Sequence, residues 1–313
     1  MMLARVADSL YWMGRYAERA EHYSRLASVM LNAALDGGEA ADQAVRTVQA
    51  AAGELADVAP GSTLKVARGL ALGAEASGSV VACVTLAREN ARQVRDQITT
   101  ETWEHLNQLY LRTTSVDAGD SFDDDSSGFL QRIIADLHLF KGAADATMSH
   151  GEGWRFMIAG IYIERTQLMA RLLQVSLGGP GQMVEADHID LINLLRMSCA
   201  LEPYLRAYTA DIRARFIVEF LLFNDEFPRS IHFTVARLEE LLGHLSSAAQ
   251  RGGADPLRLS GRLNARLTYA DLEHLEANGA GQLLASVAAE CGAIHQAIHD
   301  RFVAYPLETG LPA

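Results

Sequence analysis

Residues 14–31 and 160–177 repeat one charged pattern. The first reads GRYAERAEHYSRLASVML and the second GIYIERTQLMARLLQVSL; at a constant offset of 146 they share eight of eighteen residues. The matched pairs are Gly14/Gly160, Tyr16/Tyr162, Glu18/Glu164, Arg19/Arg165, Arg25/Arg171, Leu26/Leu172, Val29/Val175 and Leu31/Leu177. A carboxylate beside a guanidinium offers two kinds of chemistry, proton transfer by the first and anion binding by the second. At roughly 100° per residue, Gly14, Glu18, Glu21 and Arg25 share a narrow helical stripe, bordered by apolar Leu10, Met13 and Ala17. Charges bordering a buried face must be paired, because unpaired buried charge is expensive. Gly14 lets another backbone or a ligand come close.

A second constellation lies in ARENARQVRDQITTETWEHLN, residues 87–107. Arg88, Arg92 and Arg95 stand at i, i+4 and i+7 and so share a helical face. Three like charges there repel unless anions lie opposite. Those anions are expected to be Glu18 and Glu164, or else a bound carboxylate or phosphate. Thr99-Thr100 breaks the helix, and Trp103, Glu104 and Asn107 follow on one face of the next, Trp103 serving as a packing anchor or a lid on a planar ligand. A fainter echo aligns VVACVTLARENARQV (80–94) with IVEFLLFNDEFPRSI (217–231), matching Glu89 with Glu226 and Arg92 with Arg229.

Other chemistry is weakly represented. His295 and His299 have metal-ligand spacing but lack the intervening Glu of a zinc protease, so surface histidines are expected and no metal site is assigned. The ExxH pairs of di-iron bundles, phosphate-cradling glycine loops and the GxSxG elbow are all missing. Cys83, Cys199 and Cys291 are widely spaced in apolar runs, as reduced buried thiols would be.

The elements that must position these residues are helices. Leu, Ala, Arg, Glu and Gln dominate the periodic stretches, and no alternating strand pattern or hairpin turn appears. Long helices are predicted near 3–35, 79–98, 101–115, 127–149, 154–177 and 280–303. Shorter ones are predicted near 39–52, 62–73, 187–199, 202–224, 229–249 and 257–277. Between them lie breakers at Gly37-Gly38, Pro60-Gly61, Gly178-Gly179-Pro180-Gly181, Pro228 and Gly252-Gly253. The acidic stretch 117–128 reads as a surface loop. The repeat predicts an all-α, single helical-bundle domain over 1–313, built of two pseudo-twofold halves, about 1–150 and 151–313.

With 313 residues, 49% hydrophobic and 21% charged, the chain is long and apolar enough for a sizeable core. Its net charge of −12 argues against nucleic acid or an anionic membrane surface as a partner. No targeting segment or membrane span is read, and a cytoplasmic location is expected. Only Lys65 and Lys141 are lysines, so nearly all the basic residues are Arg, the better fork-shaped binder of carboxylate and phosphate.

The blocks ADSLYWMGRYAERAEHYSRL, LARENARQVRDQITTETWEHLN, GIYIERTQLMARLL and FPRSIHF resemble the signature blocks of the bacterial alpha-E proteins, a family named for a helical domain with a recurring Glu-Arg motif. The resemblance covers almost the whole chain. It implies work beside a circularly permuted ATP-grasp protein and a transglutaminase-like cysteine peptidase, in an ATP-dependent pathway that makes or modifies amide bonds. On this view the chain has no cofactor of its own, and ATP is used by the partner. The chain would hold an anionic peptide or intermediate. Glu18 or Glu164 would take a proton from an attacking amine, and Arg88, Arg92 and Arg229 would neutralise developing charge. The full ligand-lining set expected is Arg15, Arg19, Arg25, Arg88, Glu89, Asn90, Arg92, Arg95, Trp103, Asn107, Arg165, Arg171 and Arg229. Two alternatives stand beside this one: a non-catalytic scaffold whose Glu-Arg units hold the halves together, and an independent transferase or hydrolase.

Overall fold

The structure, a computed structural model, describes residues 2–56, 62–73, 78–177, 186–209, 211–246, 254–270 and 280–303. Among these there are fourteen α-helices and no strand. They are α1 (Ala4–Asp36), α2 (Gly38–Ala56), α3 (Thr63–Leu72), α4 (Val80–Gln93), α5 (Thr100–Thr113), α6 (Ala118–Asp124), α7 (Ser126–Thr147), α8 (Glu152–Leu177), α9 (His188–Met197), α10 (Leu201–Ala207), α11 (Ala214–Phe223), α12 (Ile231–Ser246), α13 (Pro256–Thr268) and α14 (Gly281–Ile298), with a π-turn at His299–Val303.

Two helices form the axis. At 33 residues α1 is about 50 Å long, at 1.5 Å per residue. It packs against α8, α4, α7, α2 and α3, so no broad face is left for water. Its small residues Ala17, Ala20 and Ala27 and its larger Leu10, Met13, Tyr23, Leu26 and Met30 are all completely buried. Helix α8 is enclosed in turn by α1, α12 and α14, with α2 at its end. Outer helices α5 and α13 lie against α4 and α7, and against α12 and α14. Side chains from α1 through α14 join one connected apolar core. A helix surrounded in this way has nowhere to put polar side chains except inside, and this places Glu18, Glu21 and Glu164 in the interior.

The repeated glycines set how closely the axis packs. Contacts advance together along α1 and α8, from Leu10 against Gly153 to Gly14 against Met157 and Ile161, so the helices run parallel. A Cβ on Gly14 would sit 2.1 Å from the Met157 carbonyl oxygen. A Cβ on Gly160 would sit 2.1 Å from the Tyr11 carbonyl oxygen. Tyr11 and Met157 are themselves separated by the offset of 146, so the two contacts are reciprocal.

Several expectations are corrected. The 117–128 stretch is helical, because Ala118 and Phe122 bury one face of α6. The Asp125 carboxylate then accepts from Gly128 N at 2.8 Å and starts α7. The span 202–224 is two helices, broken where Thr209 takes φ 50°. Tyr204 bridges that break by donating from its hydroxyl to the Asp211 carbonyl at 2.6 Å. The predicted helix over 79–98 stops at Gln93, and a turn carries Arg95. The breakers at 60–61, 178–181 and 252–253, and the predicted helix ends at 247–249 and 271–277, lie outside the described residues.

Candidate functional site

The Glu-Arg units meet across the axis, and each helix binds the carboxylate of the other. Arg19 of α1 donates from Nε to Glu164 Oε1 at 2.6 Å. Arg165 of α8 donates to Glu18, from Nε to Oε1 at 2.7 Å and from Nη2 to Oε2 at 3.0 Å. Arg15, which has no counterpart in α8, gives Glu164 a second guanidinium at 2.6 Å. Its Nη2 reaches Gln167 at 2.9 Å, and its Cζ lies 4.7 Å from the centroid of the Trp12 ring.

Glu18 has further partners. Lys141 of α7 bonds it, and Arg229, just before α12, approaches it at 3.5 Å. One turn on, Glu21 is held by Lys141 at 2.6 Å, by Arg229, by His138 at 3.1 Å and by Arg25 at 3.2 Å. The three carboxylates are each 1% exposed. Burial alone would raise their pKa values, but the cations outweigh it. Arg165, Lys141 and Arg229 hold Glu18 well below the carboxylate range; Lys141 and Arg229 do the same for Glu21, and Arg15 and Arg19 lower Glu164. All three are therefore firmly ionised acceptors whose oxygens are already engaged.

The balance of charge is uneven. Glu164 meets two cations, while Glu18 and Glu21 together meet four, Arg25, Lys141, Arg165 and Arg229. Three positive charges are in surplus, in a chain whose net charge is −12. The cluster comes nearest to solvent at His138, whose side chain is 54% exposed beside Glu21.

His22 lies inside this cluster at 2% exposure. Burial, and then the charge of Arg229, pushes its pKa down to about 4. The unfolded chain takes up this proton near pH 6.5, whereas folded His22 stays neutral down to about 4. The unfolded state thus binds more protons across this window, so stability falls as pH drops from 6.5 to 4, by about 3 kcal/mol for this group. Urea midpoints measured at pH 6.5 and 4.5 are expected to show a smaller drop for His22→Gln than for the wild type. An equal drop would contradict this assignment.

The Arg row is elsewhere. Arg88 lies over the Trp103 and Tyr110 rings, at 5.3 Å and 4.9 Å, and donates to Asn107 at 3.2 Å. Arg95 lies 5.4 Å from the Trp103 centroid. Glu89 is the carboxylate partner, 2.5 Å from Arg88 and 2.9 Å from Arg92. The expectation that Glu18 and Glu164 face this row is therefore corrected: Arg88 and Arg95 turn toward the aromatic rings of α5, and Arg92 stays on an exposed face with Glu89. Asn90 folds back onto the Leu86 carbonyl at 2.8 Å. Arg171 departs from its counterpart Arg25 by donating to the Ala50 carbonyl at 3.2 and 3.0 Å, which pins α2 just before Gly53, φ 46°. The Arg92–Arg229 echo also fails, since Arg92 is on an exposed helix face and Arg229 is buried in a turn.

Glu21, though in the predicted stripe, was given no role by sequence reasoning. Lys141 and His138 were missed altogether. The one available signal was Lys141 itself, one of only two lysines in a chain whose other basic residues are Arg. Among the described residues no group of three or more His, Cys, Asp or Glu side chains is placed to hold a metal ion. None of their helices is long and apolar enough to cross a membrane.

Comparison with known proteins finds the same Glu-Arg motif in a family. Residues 2–303 match the alpha-E family, described as a predicted alpha-helical domain with a conserved ER motif, and the chain belongs to that family. An uncharacterized protein of Mycobacterium bovis and two of Mycobacterium tuberculosis are each 27% identical to it, over 95% of this chain. The chain spans 36% of the length of each. No solved structure matches it.

Proposed function

We propose that this chain is the anion-binding, non-catalytic helical component of an ATP-dependent system that forms or modifies amide bonds. A circularly permuted ATP-grasp ligase supplies the ATP chemistry, and a transglutaminase-like peptidase is the second partner. The chain holds an anionic peptide or intermediate at the end of the network formed by Arg25, His138, Lys141 and Arg229. The observation that carries this reading is the surplus of three cations over three carboxylates. Such a cluster repels itself, and a carboxylate or phosphate relieves it. Glu18 and Glu164 act here as structural acceptors rather than bases, since each is buried and already bound by the guanidinium of the other helix. We also propose that α1 and α8 are the centres of two duplicated halves in one domain. The reciprocal glycine contacts and the crossed Glu-Arg pairs support that duplication. The span of the mycobacterial relatives, far longer than this chain, is in keeping with a domain that works beside others.

The test is thermal melting at fixed ionic strength with inorganic phosphate or a glutamate-rich peptide, each against chloride. Both are expected to raise the wild-type Tm, and Lys141→Gln is expected to lose most of that rise. Arg92→Ala, which removes an arginine whose side chain is 60% exposed, is expected to keep the rise and to change stability by less than about 1 kcal/mol. An equal effect of chloride, or a full rise in Lys141→Gln, would contradict the reading. Product formation with the cognate ATP-grasp protein then tests the partnership.

A further inference from the structure

A cavity of about 360 Å³ lies between α8 and α12, and no side chain of the Glu-Arg network lines it. Thr166 of α8 bonds Thr234 of α12 at 2.8 Å, about one turn before the cavity begins. From there it runs toward the start of α8 and the end of α12. Trp154, Ile158 and Tyr162 line it at i, i+4 and i+8, one stripe of α8 about 12 Å long. All three are only partly buried against the core, and Leu241 faces them from α12. The floor is thus a narrow apolar strip that the fold leaves uncovered.

The two ends of the strip differ in charge. Near the threonine pair, Arg237 and Glu240 bond each other at 2.8 Å and neutralise that end. At the far end stands Arg155, half-buried, whose guanidinium has neither an ion pair nor a hydrogen bond among the described residues. Asp145 is engaged instead by His150, whose Nε2 lies 2.9 Å from its carbonyl oxygen and 3.7 Å from its carboxylate. The His150 ring then stacks on Trp154 at 3.9 Å, covering one face of the indole. A partly desolvated guanidinium without a counter-charge favours an anion. The strip beside it gains by losing water, so the anion that fits best carries an apolar body.

We propose that this cavity binds a small carboxylate with an unbranched apolar body. The carboxylate accepts from Arg155, and the chain lies along Trp154, Ile158, Leu241 and Tyr162. The volume is that of a small-molecule site, and the narrow strip between two helices suits a single chain. This proposal stands apart from the anion site at Lys141 and Arg229, with which it shares no side chain.

Calorimetric titration of the full chain tests it with three probes. Octanoate carries the charge and the chain, 1-octanol only the chain, and acetate only the charge. Octanoate is expected to bind, with the other two weaker by about tenfold or more. Arg155→Gln is expected to weaken octanoate by about tenfold or more and to leave 1-octanol unchanged. Lys141→Gln is expected to leave octanoate unchanged, which separates this cavity from the anion site. Because the Arg155 guanidinium has no protein partner, Arg155→Gln is expected to keep the wild-type Tm, so that lost binding is not lost folding. The proposal is overturned by no octanoate heat at millimolar concentration, or by 1-octanol or acetate binding as tightly as octanoate. Full octanoate binding by Arg155→Gln, or its loss in Lys141→Gln, overturns it as well.

Discussion

Alanine at Gly14 or at Gly160 is expected to destabilise the protein by about 3 kcal/mol, the upper end for overpacking a tight core. The added methyl would lie 2.1 Å from a carbonyl oxygen of the opposite helix in each case. A carbonyl cannot step aside as a side chain does, so α1 and α8 must separate. Separation also stretches the Arg19–Glu164 and Arg165–Glu18 bonds, both of which cross the same gap. Gly69 and Gly142 are the controls. Both are helical, and a Cβ on either would meet nothing within 4 Å. Alanine there is expected to stabilise by about 0.5–1 kcal/mol through helix propensity alone. Urea unfolding of the four variants checks the contrast. If Gly14→Ala costs no more than the controls, close packing of the axis is not what the repeated glycine provides.

Glu164→Gln is expected to cost about 3–5 kcal/mol, the range for removing one member of a buried ion pair. The change keeps the shape but leaves Arg15 and Arg19, both under 10% exposed, without a counter-charge. Glu89→Gln makes the same chemical change on an exposed face and is expected to cost less than about 1 kcal/mol. The comparison bears on function. A catalytic Glu164 would tolerate glutamine in the fold while losing turnover; a structural one loses the fold first. A Glu164→Gln protein that melts like the wild type would return the catalytic reading to first place.

The sequence carried the fold class and the axis well, for a physical reason. Periodicity reports which face of a helix is buried, and an eighteen-residue repeat reports two elements in related environments. Glu18, Arg19, Glu164 and Arg165 were therefore legible as charges that need partners, and Gly14 as a point of close approach. Their pairing was not legible. Helical spacing cannot say which neighbour a face meets, so the Arg88 row was aimed at Glu18 and Glu164 when it meets Trp103 and Tyr110. Lys141 and His138 escaped because α7 shows no motif of its own, and their role exists only through contact with α1. Arg229, named in the 217–231 echo and as a charge-neutralising residue, does belong to the cluster, brought there by the turn before α12.

The measurement that bears most directly on the account is a pair of double-mutant cycles by urea unfolding, Arg19 with Glu164 and Arg165 with Glu18, each residue replaced by an uncharged one. The interlocked arrangement predicts coupling in both cycles of about 2 kcal/mol or more, and of similar size, since the two pairs are reciprocal. Coupling below about 0.5 kcal/mol in either cycle would mean that the Glu-Arg units do not hold α1 to α8, and would contradict the account.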